Sequence, residues 1–304
     1  MRISTNTIYQ SGIARISELT ASQAKLNQQI ATGRRILTPS DDPVGSARAL
    51  ELKQATSVNN QYTSNRQVVS RYLGVEESTL ASITDVMLSV KSGLVSAGNS
   101  TYSDTERSYL AAEVRSALDQ LIGLANTKDG TGNYIFSGYQ SQTPAYVKTA
   151  TGALYQGDSN QRLLQVSASR QIPLGDTGES IFQANGNDIF QTLTDLAALL
   201  DTPVTDAASS AALSAGLVIA QAGVDAIMDS VLTTRAMVGT RLHELDALEE
   251  FGQELNLQYA QSLSEVEELD YAKAISDLSQ QQVILQAAQQ SFIKTAGLSL
   301  FDYF

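Results

Sequence analysis

The residues able to do chemistry are few, and each has a structural use close at hand. Asp41 and Asp42 stand side by side and could act as an acid pair or hold a cation. They sit, however, in Thr38-Pro39-Ser40-Asp41-Asp42-Pro43. Asp42 as N-cap with Pro43 at the first helical position matches the residue preferences of a helix start, so both are read as turn and cap. His243-Glu244 lacks the second histidine four residues on that a helical zinc-protease site needs. His243 is the single histidine and cysteine is absent, which excludes thiolate catalysis, disulfides and Cys-ligated metals. Gly130-Thr131-Gly132 has no following Lys-Ser/Thr and makes no phosphate loop. Arg34 and Arg35 could meet an anion, but beside a polar turn they are more simply matched by carboxylates. No nucleophile stands with a base. The expectation is a protein that is not an enzyme, with no catalytic residue, metal site or cofactor.

The elements that would carry such residues are mostly long helices. Five prolines (Pro39, Pro43, Pro144, Pro173, Pro203) leave residues 44–143 and 204–304 free of them. From Val238 to Ala296 apolar side chains recur three or four apart: Val238, Leu242, Leu245, Leu248, Phe251, Leu255, Tyr259, Leu263, Val266, Leu269, Ala272, Ile275, Leu278, then Val283, Leu285, Ala288 and Phe292. One helix of that length spans roughly 85 Å at about 1.5 Å per residue. The drift of the stripe predicts a broad packing face rather than one strict coiled-coil seam.

At the other end, residues 5–32 are amphipathic through Ile8, Ile13, Ile16, Leu19, Leu26 and Ile30, with Gly33 as the stop. Positions 62, 66, 69, 73, 76, 80, 83, 87, 90 and 94 alternate by four and three, and only Arg66 and Glu76 among them are not apolar. A third helix starts near Asp104, a fourth near Asp188, and a fifth runs from about Asp206 to Thr234. Between them, residues 133–187 hold short strand candidates at Tyr134–Phe136, Ala145–Val147, Ala153–Tyr155 and Leu163–Val166, divided by Gly, Asn, Asp and Pro.

The fold class expected is therefore mainly α with a β-rich insert: a long antiparallel helical bundle or coiled coil made by both termini. Three parts are expected. Residues 1–43 with 265–304 form a terminal coiled coil, 44–137 with 188–264 a helical bundle, and 138–187 a small outer β-rich domain. The net charge of −12 argues against nucleic acid or anionic membrane as partner, and no run approaches about 20 apolar residues. Charge also pairs the ends. Residues 1–71 carry a balance of +5 and residues 241–304 one of −8. Surface ion pairs each contribute under about 1 kcal/mol, so burial supplies the stability and charge the choice of partner.

The opening Met1-Arg2-Ile3-Ser4-Thr5, then Ala31-Thr32-Gly33-Arg34-Arg35-Ile36 and Pro39-Ser40-Asp41-Asp42-Pro43, resembles the N-terminal region of the flagellin superfamily. The Pro-Ser-Asp-Asp-Pro form, and Leu121 to Thr127 followed by Gly132-Asn133-Tyr134-Ile135-Phe136-Ser137-Gly138, resemble its FlgL branch of hook–filament junction proteins. Asp270-Tyr271-Ala272 leading into Ser279-Gln280-Gln281 resembles the superfamily's C-terminal region. The aromatic end, Leu298 to Phe304, departs from that pattern.

The resemblance implies a structural adaptor of the bacterial flagellum, extracellular and exported by the flagellar type III system. It would assemble as a homo-oligomeric ring or tube through its terminal helices. Its partners would be a neighbouring hook-associated junction protein, flagellin and a flagellar export chaperone. Filament-forming flagellin and a soluble coiled-coil binding module are the alternatives. The assembly interface expected comprises Ile8, Ile13, Ile16, Leu19, Leu26, Ile30, Leu278, Val283, Leu285, Phe292, Leu298, Leu300, Phe301 and Phe304, because these leave more apolar surface than one antiparallel pair hides. Truncating residues 297–304 is expected to spare secretion and the central fold but to abolish incorporation at the hook tip. A truncated chain that still caps hooks and supports filament growth would place the interface elsewhere.

Overall fold

The computed structural model describes residues 5–99 and 102–297. Among the described residues seven α-helices and four strands follow in the order α1 (Thr5–Thr32), α2 (Pro43–Ala97), α3 (Asp104–Ala125), β1 (Tyr146–Thr149), β2 (Gly152–Tyr155), β3 (Leu163–Ser167), β4 (Arg170–Pro173), α4 (Gly178–Phe182), α5 (Ile189–Asp201), α6 (Ala207–Glu267) and α7 (Tyr271–Gly297). The starts obey local chemistry. Ser103 and Glu106 close a capping box on α3, and Asp188 Oδ1 accepts the backbone N–H groups of Phe190 and Gln191 at the head of α5. The chain divides into two compact units, Met1–Asn59 with Gln253–Phe304, and Asn60–Gly252. These cuts fall near 59 and 252, where the three-part expectation cuts near 43 and 265.

In the second unit, the four-three alternation of α2 is realised along its length. Val69, Leu73, Leu80, Ile83, Met87, Val90 and Leu94 are all buried, and so are the two exceptions, Arg66 and Glu76. Facing them are Leu217, Val224, Ile227, Val231 and Val238 of α6. The cross-helix pairs Arg66–Glu249, Glu77–Arg235 and Lys91–Asp225 run in opposite senses along the two helices, so α2 and α6 are antiparallel here. Helices α3 and α5 complete the core through Val114, Leu121, Leu193 and Leu200. Parts of α2 and α6 are long and apolar enough to cross a membrane by length and composition alone, more apolar than the sequence reading allowed. In the protein these helices lay their apolar faces into this core instead.

The insert is two antiparallel hairpins, β1–β2 and β3–β4, each a two-stranded sheet. Two-stranded hairpins have no interior of their own and need a surface to lie on. Accordingly Phe136, Tyr146, Phe182 and Phe190 form one aromatic cluster in the main core, with Tyr146 and Phe190 centroids 4.6 Å apart. Val166 and Ile172 of β3–β4 pack on Val69, Leu73, Val238 and Leu245. The insert's buried side chains thus join the same clusters as the helices.

Four expectations are corrected. The stretch Val238–Ala296 is not one helix: α6 runs unbroken from Ala207 and stops at Glu267, and α7 starts at Tyr271. Tyr134–Phe136 is no strand but a turn segment, tied by Tyr134 N–H to Ser141 O and Ile135 N–H to Thr127 O. Strand β4 and helix α4 were not expected. Phe251 is 57% exposed, and Gly252 takes the inward position that the stripe gave to Phe251.

Leu80 and Ile83 are fully buried at the centre of the bundle. Leu80→Ala is expected to cost about 2–5 kcal/mol in chemical denaturation. Ile83→Asp buries a charge and is expected to cost more than about 4 kcal/mol. A melting temperature unchanged in either variant would show that this layer is not the core.

Candidate assembly surface of the terminal helices

Helices α1 and α7 lie against each other in the first unit. Tyr9 meets Phe292 edge to face at 5.8 Å, Ser22 Oγ accepts from Gln281 Nε2 at 3.2 Å, and Gly33 lies against the Tyr271 hydroxyl. The partners descend along α7 as they ascend α1, so the pair is antiparallel. Half-buried or buried positions recur with strict three-four spacing on both: Tyr9, Gly12, Ile16, Leu19, Gln23, Leu26 and Ile30 on α1, and Ala274, Leu278, Gln281, Leu285, Ala288 and Phe292 on α7. This is a coiled-coil seam, where a broad drifting face was expected. Gln281 hides it in the sequence of α7, where it is the one polar seam position. The register places Gln281 level with Gln23, a polar layer within an apolar seam. Gly12 permits the close approach at the far end: a Cβ there would stand 2.6 Å from the Phe292 ring.

The base of the pair is clasped by backbone. Arg35 N–H donates to Glu267 O at 2.7 Å and Leu269 N–H to Gly33 O at 3.1 Å, with an antiparallel bridge between Arg34 and Glu268. This clasp breaks α6 from α7, because Glu267–Leu269 pair with the chain after α1 instead of with the next helical turn. Gly33 adopts φ +69°, which a side chain would strain. Charges close over the clasp. Glu267 receives Lys53 at 2.5 Å and Arg34 at 3.8 Å, while Arg35 reaches Asp42 and the Val266 carbonyl. Arg34 and Arg35 are therefore matched within the chain.

Asp41 and Asp42 work as turn and cap. Asp41 accepts the backbone N–H groups of Leu37 and Thr38 and the Lys25 ammonium at 2.6 Å. The Lys25 hydrogen bond first, then that from Thr38, hold its carboxyl down at about 2. Asp42 Oδ1 caps Gly45 N–H at 2.9 Å as α2 begins at Pro43, and that bond, ahead of Arg35, lowers its pKa as well. Lowered carboxylates stabilise this turn above their ordinary range and release it as the pH falls through the lowered values. Among the described residues no group of three His, Asp or Glu could hold a metal ion. His243 is exposed on α6, and its neighbour Glu244 is engaged by Arg170.

The expected interface residues divide in two. Ile16, Leu19, Leu26, Ile30, Leu278, Leu285 and Phe292 lie half-buried in the seam. Ile13 and Val283 point away from it, 55% and 66% exposed. They are joined on the outside by Ile275, Ile284 and Ile293, which the sequence reading did not single out as interface residues. The side chain of Ile8 and residues Leu298, Leu300, Phe301 and Phe304 lie outside the described residues. The outward set could have been found by removing the seam heptad from the stripe and asking which isoleucines and valines remained.

Gly33→Val places a β-branched residue in the left-handed region and is expected to cost about 1–2 kcal/mol. Hydrogen exchange should show lost protection at the Arg35 and Leu269 amides, with α3 and α5 unchanged. Full protection at both amides would mean that the clasp does not depend on this backbone geometry.

Residues 3–141 match the model of the bacterial flagellin N-terminal helical region. The chain is 35% identical to flagellar hook-associated protein 3 of Escherichia coli over 99% of both chains. In three dimensions it is similar to a putative flagellar hook-associated protein of Vibrio parahaemolyticus, with TM-score 0.69 and 24% identity over 75% of this chain and all of that one. It is likewise similar in fold to FlgL of Xanthomonas campestris, with TM-score 0.65 and 18% identity over 70% of this chain and 99% of the other. Near-complete coverage of both chains at 35% identity to the Escherichia coli protein places the chain in the flagellar hook-associated protein 3 (FlgL) family.

Proposed function

We propose that this protein is the structural adaptor that joins the flagellar hook to the filament, assembling through its terminal helices. The observation that carries the reading is the two-sidedness of α7. One face is spent on α1, and the other leaves Ile275, Val283, Ile284 and Ile293 in water. Singly exposed apolar residues are ordinary, but a recurring set along one helix marks a contact with another molecule. In this reading copies of the chain form a ring or tube. The terminal pair, residues 1–43 with 265–304, lines the inside of the tube, and residues 138–187 face outward. One rim meets a neighbouring hook-associated junction protein and the other meets flagellin.

Before assembly the same apolar face needs cover, which a flagellar export chaperone supplies, and the chain leaves the cell through the flagellar type III system. Absence of cysteine suits a protein that passes from a reducing to an oxidising compartment. The work is mechanical and no catalytic constellation is called for.

Replacing Ile13, Val283 and Ile293 together by Ser tests this reading. Each is an exposed site, so the fold should lose no more than about 0.5 kcal/mol per position and circular dichroism should be unchanged. Cells carrying only this variant should make hooks, secrete flagellin into the medium and grow no filaments. Normal filaments on those cells would show that the outward apolar set is not the assembly contact.

A further inference from the structure

The two polar residues in the α2 heptad are both sites where the insert is fastened. Arg66 donates to the Val166 carbonyl of β3 at 3.0 Å and to Glu249 of α6 at 2.8 Å. Glu76, 1% exposed, accepts the Asp176 backbone N–H on Oε1 at 3.0 Å just after β4. The two fastenings differ in charge. Arg66 is paired with a carboxylate, whereas Glu76 has no cation of its own.

The charges around Glu76 are already matched among themselves. On α6, Arg241 grips both oxygens of Asp176 at 2.8 and 3.2 Å, and Gln161 adds a third hydrogen bond to Asp176 at 2.7 Å. Glu77, next to Glu76 on α2, is taken by Arg235 of α6 at 2.7 Å. Arg162 of the insert lies over the Tyr72 ring, one helical turn before Glu76. Three carboxyl groups thus share two arginines, and Glu76 is the one left over. Its Oε2 is buried with no hydrogen-bond partner. A Cβ on Gly175 would stand only 3.3 Å from it. A carboxylate anion in that position would be both dry and unpaired, which a protein avoids by keeping the group protonated.

We propose that Glu76 is a buried neutral acid that latches the β3–β4 hairpin onto α2 and α6, and that its ionisation releases the hairpin. Desolvation first, then the neighbouring Asp176 charge, push its pKa up from 4.5 to about 8. A group raised in the folded state contributes stability that is complete below its ordinary pKa and is lost as the pH rises through the raised one. The latch is therefore tightest in acid below 4.5, loosens steadily as the pH rises, and has lost this contribution above about 8. A groove of about 480 Å³ lined by Gln161, Asp176, Ser180, Thr234 and Arg241 borders the Asp176–Arg241 pair and gives water access to its outer side. Of the forces holding the hairpin, Val166 and Ile172 burial and the Arg170–Glu244 pair do not titrate in this window, so release is local.

Two measurements on the full chain decide it. Infrared spectra in neutral buffer should show the carbonyl stretch of a protonated carboxylic acid that Glu76→Gln lacks. Hydrogen exchange, corrected for its intrinsic base catalysis, should show the amides of 163–173 opening up to about tenfold more per pH unit as the pH rises from 4.5 towards about 8, the slope for release of one proton on opening, and levelling off above that. Glu76→Gln keeps the acceptor for Asp176 N–H and should make that opening independent of pH. The proposal is overturned if the wild-type band is absent at neutral pH, or if Glu76→Gln opens with the same slope.

Discussion

A long amphipathic helix is stable in water only where another surface covers its apolar stripe, and every other feature of this protein follows from meeting that demand for α2 and α6. At 55 and 61 residues they are far longer than a compact core requires. In the second unit they cover each other and are roofed by α3, α5 and two hairpins. In the first unit their ends join α1 and α7, with Lys53 and Glu267 paired between them. The insert is best understood as part of this covering. Its strands are too few to enclose a core, so Tyr146, Phe182, Val166 and Ile172 are contributed to the core of the helices.

The exceptions to each stripe are as informative as the stripe. In α2 the heptad was legible residue by residue, and its two faults, Arg66 and Glu76, turned out to be buried as deeply as the leucines. A polar group is retained in such a position only when something beyond the helix pair satisfies it. Here the insert does so, with a carbonyl for Arg66 and an amide for Glu76. In the terminal pair the fault is Gln281, which turns to Ser22. A polar layer of this kind disfavours other registers at some loss of stability. Reading the interruptions as contacts to be found, rather than as noise in the pattern, would have located the hairpin docking points from sequence.

What was not legible has a common cause: side-chain type was read where backbone position decides. Phe251 looked like a core residue, yet it is 57% exposed and the neighbouring Gly252 is the buried position. Ile275 looked like the seam and Ala274 did not, although Ala274 is 2% exposed and Ile275 55%. The interruption between α6 and α7 carries no proline or glycine. It is made by hydrogen bonds to Gly33 and Arg35, more than two hundred residues away, and no local rule reports such a partner. Helix starts were legible because their chemistry is local: Asp42 before Pro43, Ser103 before Asp104 and Asp188 before Ile189. The family resemblance rested on such turn and cap residues together with the sequence of both ends.

The same distinction explains why α7 keeps apolar residues outside its seam. Its seam side combines Leu278, Leu285 and Phe292 with alanines at 274 and 288 and a glutamine at 281, while the β-branched residues Ile275, Val283, Ile284 and Ile293 face outward. Burial free energy scales with apolar area, so the outward isoleucines and valine represent a gain that the α1 pair does not take up. A helix arranged this way is held by both its seam and the clasp at Gly33–Arg35. It therefore presents a positioned apolar surface whose largest gain comes only when a further molecule covers it.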